Sequence, residues 1–360
     1  MHGKGRLEVS KYWSQVVQTL EPYVPGEQPK DKTYIKLNTN ENPYPPSPQV
    51  VAAMKAVTNE NLRLYPTPTC DELKNAIAEY HGLKKEQIFV GNGSDEILAF
   101  SFLAFFNPNS PILFPDITYS FYPVYCAMFH IDYHLIALEE DLSIPVEKFF
   151  EKNGGIIFPN PNAPTGKEVT LQDIEAILKH NEDQVVIVDE AYIDFGGASA
   201  LPLLDSYPNL LIVQTLSKSR SLAGLRVGFA MGNADLIEAL ERVKNSINSY
   251  TLDRVALAGA LESFKDESYF QATRQKVMAT RDKTIVALET MGFQVIPSKA
   301  NFIFMSHPLF SAEELYLNLR KHGILVRYFN KDRINNFLRV SIGTEEEMQC
   351  FITKVAEILT

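Results

Sequence analysis

The chain alternates short apolar runs with longer stretches whose apolar residues recur at helical spacing. Short runs fall at Ile88–Val90, Ile112–Phe114, Tyr133–Ala137, Ile156–Phe158, Val185–Val188 and Leu211–Val213, and another begins at Val227. They are too short for helices, and most are bounded by Gly, Pro, Asn or Asp, which marks them as strands. Between them the spacing predicts helices. One covers 48–57. Thr69-Cys-Asp-Glu72 has the form of a capping box, after which Leu73, Ala76, Ile77 and Tyr80 share one helical face and Gly82 ends it. Gly91-Asn-Gly-Ser-Asp-Glu96 leads into an apolar helix with Ser94 as its N-cap, and Thr170-Leu-Gln-Asp173 caps a helix carrying Ile174, Ile177 and Leu178. Strands alternating with helices predict a mainly parallel sheet with both faces covered.

After Leu236 the pattern turns helical as far as about Ala287. It then gives four strand-like runs, Gln294–Ile296, Phe302–Met305, Ile324–Arg327 and Phe337–Ile342, with a helix over Ala312–His322 ended by Gly323. The expected architecture is α/β: a three-layer α/β/α large domain (34–250) with a mainly parallel sheet, and a smaller α+β C-terminal domain (251–360). Residues 1–33 read as an arm, broken by Glu21-Pro-Tyr-Val-Pro-Gly26, and the segment Asn38–Pro48 is too rich in proline for regular structure. Its cluster Asn38, Asn40, Glu41 and Asn42 is dense in hydrogen-bonding groups for a mere spacer.

With 360 residues and 45% hydrophobic positions, the chain can bury a sizeable core. A formal net charge of −10 argues against a general nucleic-acid or acidic-membrane binder, though a few converging arginines would still accept an anionic substrate. Three widely spaced cysteines, Cys70, Cys126 and Cys350, with no CxxC pair, read as reduced thiols in a cytoplasmic protein and not as a disulfide or metal framework. Met1–Trp13 has no signal-peptide pattern, and the longest apolar stretch, Ile97–Phe106, is far short of a membrane span.

Candidate chemistry gathers at the predicted strand ends. Lys218 follows Leu211–Val213 after Thr215 and Ser217, and Arg226 stands just before the next run. Open α/β sheets hold ligands beyond the carboxyl ends of their strands, and hydroxyls beside an arginine fork suit a phosphate. The set suggests a lysine that forms a Schiff base with a phosphorylated aldehyde, pyridoxal phosphate (PLP). Asp189 directly follows a buried run, where an ionised carboxylate needs a cationic partner. A protonated pyridine nitrogen is such a partner, and keeping it charged makes the ring an electron sink. Tyr192 is placed to donate to the ring's phenolic oxygen, the turn Asn160-Pro-Asn-Ala-Pro-Thr-Gly166 to reach the same oxygen, and Tyr119 to stack on the ring. Each alone has a plainer reading: a solvated loop cation, a helix cap, a turn, one core aromatic among 16 tyrosines. A dinucleotide site at Gly91-x-Gly93 is disfavoured, because the third glycine is missing and Asp95 and Glu96 crowd the anion.

Together these residues resemble the fold-type-I PLP-dependent aminotransferases, and within them the histidinol-phosphate aminotransferase branch. The likeness runs through Asn38-Thr-Asn-Glu-Asn-Pro43, Arg63-Leu-Tyr-Pro66, Gly91–Glu96, Asn162-Ala-Pro-Thr-Gly166, Val188-Asp-Glu-Ala-Tyr192, Thr215-Leu-Ser-Lys218, Ala223-Gly-Leu-Arg226 and Leu338-Arg-Val-Ser-Ile-Gly-Thr344, in the family's order. The resemblance implies Lys218 as the Schiff-base lysine and general base, Asp189 on the pyridine nitrogen, Tyr192 on the ring oxygen and Tyr119 on the ring face. It makes Gly93, Ser94, Asp95, Thr215, Ser217 and Arg226 the phosphate cup. It sends Tyr65 across a homodimer interface to the neighbour's cofactor, giving shared active sites. Arg339 becomes the carboxylate clamp, and Tyr23, Asn40 and Arg327 contact substrate. The family's asparagine before Pro-Thr-Gly is Ala163 here, so either Asn162 takes the ring-oxygen contact or Tyr192 carries it alone. No metal is implied. The expected substrates are a small amino donor and a 2-oxo acid, with histidinol phosphate and 2-oxoglutarate first. An aromatic aminotransferase, a threonine-phosphate decarboxylase and a nucleotide-binding regulatory protein are the alternatives.

Overall fold

The computed structural model describes residues 10–360. The beginning of the arm, residues 1–9, on which part of the signal-peptide reading rests, lies outside the described residues.

Strand β1 is only Ile35–Lys36. The next seven build the large sheet: β2 (Ile88–Gly91), β3 (Ile112–Pro115), β4 (Tyr133–Ile136), β5 (Ile156–Pro159), β6 (Val186–Asp189), β7 (Leu210–Thr215) and β8 (Gly228–Gly232). Their order is β2–β8–β7–β6–β5–β3–β4, and only β8 runs antiparallel to its neighbours. Strands β3 and β5 to β8 are buried throughout, which is why they read as continuous apolar runs; β4, at the edge, is largely exposed. Alternate residues feed two cores. Val186, Val188, Leu210 and Ile212 pack on one face, and Ile187, Leu211 and Val213 on the other.

Five short strands follow: β9 (Gln294–Ile296), β10 (Phe302–Ser306), β11 (Ile324–Leu325), β12 (Arg327–Tyr328) and β13 (Leu338–Ser341). Four form an antiparallel sheet in the order β12–β13–β10–β9. The run expected as one strand over Ile324–Arg327 is split. Ile324 and Leu325 pair in parallel with β1, whereas Arg327 and Tyr328 pair with β13. Leu37, just after β1, therefore joins the core of the C-terminal sheet. The helical stretch resolves into helices at Ala234–Ile247, Arg254–Lys265 and Glu267–Thr290.

Helix starts show where local signals mislead. Thr170 caps as expected, its hydroxyl accepting from the Asp173 amide. Thr69 does not cap: the helix begins at Asp71 after Cys70 in a left-handed conformation, and the Thr69 hydroxyl bonds Asp71. Ser94 lies inside the first turn, because the helix already starts at Gly93, whose φ of +77° no L-residue adopts easily. Among the described residues, no helix is long and apolar enough to cross a membrane.

Candidate active site

A cavity of about 250 Å³ opens where β5, β6 and β7 end, beneath the C-terminal sheet. Asp189, the last residue of β6, lines it while almost wholly buried (4% exposed). Burial pushes its carboxyl up to about 6, although the Tyr122 hydroxyl (3.0 Å) and the Ala191 amide (3.2 Å) both donate to it. Tyr192 also lines the cavity; its hydroxyl accepts from Asn40 Nδ2 at 3.0 Å and its ring packs edge-on against Phe302. Lys218 reaches in from the loop after β7, with Nζ 3.3 Å from the Thr39 carbonyl oxygen and 5.7 Å from the Tyr192 ring centre. The backbone of that loop is fixed from outside. Asn42 Nδ2 donates to the carbonyls of Lys218 and Ser219, and the Ser219 hydroxyl donates to Asp194.

At one side the cavity is built for an anion. Ser94 and Asp95 sit in the first turn of the helix Gly93–Phe105, where amides lack intrahelical acceptors. Thr215 donates to the Ser217 hydroxyl at 2.9 Å, and Arg226 reaches Ser217 (3.4 Å) and the Asp95 carboxylate (3.0 Å). Asp95 also accepts from the Tyr119 hydroxyl at 2.7 Å, which fixes that ring beside the cavity. A Cβ on Gly93 would lie 2.6 Å from the Arg226 guanidinium and would push that fork out of its place in the cup, in addition to the strain at this backbone angle.

At the other side stand two arginines. Arg327 and Arg339 are direct cross-strand partners in the β12–β13 pair, and both line the cavity. Like charges placed opposite one another destabilise a sheet. Among the described residues Arg339 keeps one bond, to the Asn38 carbonyl at 3.1 Å, and its enclosed Nε has no partner; burial and Arg327 both weaken its hold on its proton. Arg327 donates to the backbone carbonyls of Val24 (3.1 Å) and Pro25 (3.3 Å), drawing the arm over the cavity mouth. Tyr23 lines the same mouth, stacked on Phe121.

Residues 32–355 match the family described as aminotransferase class I and II. The chain belongs to that family. This aminotransferase is 60% identical, over 98% of its length and 100% of the relative's, to a histidinol-phosphate aminotransferase of Clostridium acetobutylicum, and 57% identical over 98% of its length and 99% of the relative's to one of Clostridium botulinum. Its fold matches the crystal structure of histidinol-phosphate aminotransferase from Sinorhizobium meliloti in complex with pyridoxal-5′-phosphate, with a TM-score of 0.88, 22% identity and 98% of each chain covered. The architecture is thus the fold type I of PLP enzymes, and PLP is the cofactor. The donor set fits that group: a buried carboxylate, a lysine and an aromatic ring line the cavity, and a glycine-closed cup of hydroxyls and one guanidinium lies beside them.

Three expected residues of the aminotransferase lie off the cavity wall. Gly93 stands behind Ser94 and acts through the space it leaves to Arg226. Asn162 is turned inward: Nδ2 donates to the Ile117 carbonyl (3.0 Å) and the Thr165 hydroxyl (3.1 Å), and Ala163 takes the place on the wall. The ring-oxygen contact expected of Asn162 is therefore not formed by this arrangement. Tyr65 lies on the surface (77% exposed), stacked on Tyr250, while Arg254 holds the Leu64 and Tyr65 carbonyls. Sequence reasoning passed over Thr118 and gave Asn38 no role, yet both line the cavity, and Thr118 Oγ1 and Asn38 Oδ1 have no partner among the described residues. The polar density of 38–42 was the signal for Asn38; Thr118, between Ile117 and Tyr119, gave none.

Proposed function

We propose that this aminotransferase interconverts histidinol phosphate and 2-oxoglutarate with imidazole-acetol phosphate and glutamate. The observation that carries the reading is the pair Arg327 and Arg339, side by side across two strands and both lining the cavity. An amino acid with a single carboxylate needs one guanidinium; the second answers the double charge of a phosphate or the second carboxylate of 2-oxoglutarate. The 60% identity to a histidinol-phosphate aminotransferase supports the phosphate.

PLP, when bound, supplies an aldehyde for the amine and a conjugated ring that accepts electrons. Asp189 would hold the ring nitrogen's proton by its charge, and Tyr192, oriented by Asn40, would serve the ring oxygen. The cup of Ser94, Asp95, Thr215, Ser217 and Arg226 carries the phosphate. Lys218 would be the covalent anchor of the cofactor, and its Nζ is the group that would move the proton at the substrate carbon that bears the nitrogen. Arg339 offers its unpaired Nε to the substrate anion, and Arg327 exchanges its arm carbonyls for a charged acceptor.

A charge-assisted contact is worth about 1.5–3 kcal/mol, so about 10- to 150-fold in kcat/KM rides on Arg327. The test compares histidinol phosphate, histidinol, phenylalanine and threonine phosphate with wild type and Arg327→Gln. Preference for histidinol phosphate that shrinks in the variant is expected. Preference for phenylalanine would replace the reading with an aromatic aminotransferase.

The active unit we propose is a homodimer in which Tyr65 serves the partner's site. Exposed Leu62, Leu64, Tyr65, Ile247 and Tyr250 give the surrounding surface its apolar character. Mixed Tyr65→Phe and Lys218→Ala subunits should recover activity, since one site of each heterodimer is then intact. Mixed dimers without recovery would refute sharing.

A further inference from the structure

Tyr122 is the first residue of the helix Tyr122–Phe129 and is wholly buried (0% exposed). Its ring packs edge-on against Phe114 and Tyr119, contacts that phenylalanine would make equally well. What phenylalanine would lack is the hydroxyl, which donates to Asp189 Oδ2 at 3.0 Å. The other hydrogen bond to the carboxylate is a backbone one, from the Ala191 amide to Oδ1. Tyr122 is therefore the single side chain that donates to Asp189 among the described residues.

We propose that the Tyr122 hydroxyl holds Asp189 ionised and aimed while the cavity takes up the cofactor, which makes Tyr122 a positioning residue of this aminotransferase. The inference rests on the reading that Asp189 meets the ring nitrogen. The cofactor's pyridinium needs a charged partner; a neutral Asp189 would have to lose its proton before it could form the pair. Burial favours the neutral form and Asp95 adds to it, while Lys218 and the two donors oppose it, with the balance near pH 6. Tyr122 itself stays a donor, since burial and the Asp189 charge hold its proton far above the usual range; burial does the same for the neighbouring Tyr119 and Tyr125.

Losing one hydrogen bond to a buried ionised group raises a carboxyl's pKa by about one to two units. Asp189, half ionised at pH 6 in wild type, would then be only about 1–10% ionised in Tyr122→Phe. The experiment measures the dissociation constant of PLP from cofactor-free protein, by equilibrium dialysis, between pH 6 and 9. Lys218, Asp95, Tyr119 and Tyr125 are common to both proteins, so their titrations cancel in the ratio. The expected loss of affinity in Tyr122→Phe is about 5- to 50-fold at pH 6 and within about twofold at pH 9. In an Asp189→Asn background the same substitution should show no pH dependence.

A loss that is equal at every pH means the hydroxyl only shapes the core, and no loss means water or nothing replaces it; either overturns the proposal. A pH-dependent loss that survives in Asp189→Asn overturns it as well. Wild type that takes up no PLP at any pH defeats the cofactor reading itself, a distinct result. Should Tyr122→Phe fail to fold, infrared titration of cofactor-free wild type against Asp189→Asn decides, the difference removing the buried Glu190: a carboxyl ionising near pH 6 and lost in Asp189→Asn is expected, and an Asp189 that stays protonated above pH 8 overturns the proposal.

Discussion

Asp189 and Glu190 are neighbours at the end of β6, both carboxylates and both buried, at 4% and 1% exposure. They nevertheless do different things, because successive side chains of a strand point to opposite faces. Asp189 follows Ile187 to one face, where two donors reach it and the cavity opens. Glu190 follows Val188 to the other, where the Ser199 hydroxyl (2.8 Å), the Ala200 amide (2.7 Å) and Gln214 Nε2 (2.8 Å) close around it. Burial raises both, Asp189 to about 6 and Glu190 to about 7. A perturbed carboxylate is thus no functional signature by itself. The difference lies in what surrounds it: Glu190 is enclosed by three donors of the protein, whereas Asp189 also faces the cavity. Glu190 ties the loop after β6 to β7, whereas Asp189 leaves a charge facing the cavity.

The largest expected effect falls on the cavity side. Lys218→Ala should abolish turnover, since loss of a general base alone costs about 10²- to 10⁴-fold and the covalent anchor is lost with it. The melting temperature should stay near wild type, because the loop is held by Asn42, Ser219 and Asp194 rather than by the lysine's amine. A variant that keeps a tenth of kcat would erase the distinction between the two sides.

Next in size, Glu190→Ala should act on stability. It leaves the Ser199, Ala200 and Gln214 donors buried without an acceptor, a loss of about 2–4 kcal/mol in urea unfolding at pH 7. Activity per folded molecule should stay within an order of magnitude. Loss of chemistry at full stability would move Glu190 to the catalytic side.

The sequence revealed one member of this pair and not the other. Asp189 was legible because it ends a run that is apolar on both faces, where a charge demands an explanation, and Lys218 because it follows such a run within a few residues, among hydroxyls and before Arg226. Glu190 carries the same local signal, but its partners come from Ser199, Ala200 and Gln214, which no periodicity brings together. Tyr122 was one aromatic among many for the same reason. The large sheet was readable strand by strand, as buried parallel strands write themselves as apolar runs. In contrast, β1 spans two residues, too few for any pattern, and the break at Val326 depends on pairing with two different sheets. The starts at Cys70 and Gly93 were misread because a left-handed backbone overrode the local capping signal.

The smallest expected effect is a change in pH slope, at most about 1.4 kcal/mol per pH unit for one titrating group, and it separates the two carboxylates without an activity assay. A carboxyl whose pKa is higher in the folded protein than in the unfolded chain binds its proton more tightly when folded. Its contribution therefore favours folding at low pH and is withdrawn as pH rises from the unfolded value to the folded one. For Glu190 that window runs from 4.5 to about 7, and the withdrawn stability amounts to about 3 kcal/mol. For Asp189 it runs from 3.8 to about 6. Glutamine at 190 keeps an acceptor but cannot titrate. The stability difference between wild type and Glu190→Gln, from urea unfolding at several pH values between 5 and 8, should thus shift against wild type as pH rises. It should do so with or without PLP, because Glu190 faces away from the cavity. The matching difference for Asp189→Asn should fall only in cofactor-free protein, since a bound pyridinium lowers the Asp189 pKa and removes the penalty. If loading with PLP flattened the Glu190 slope too, the two faces of β6 would be coupled through the strand end, and Glu190 would belong to the site after all.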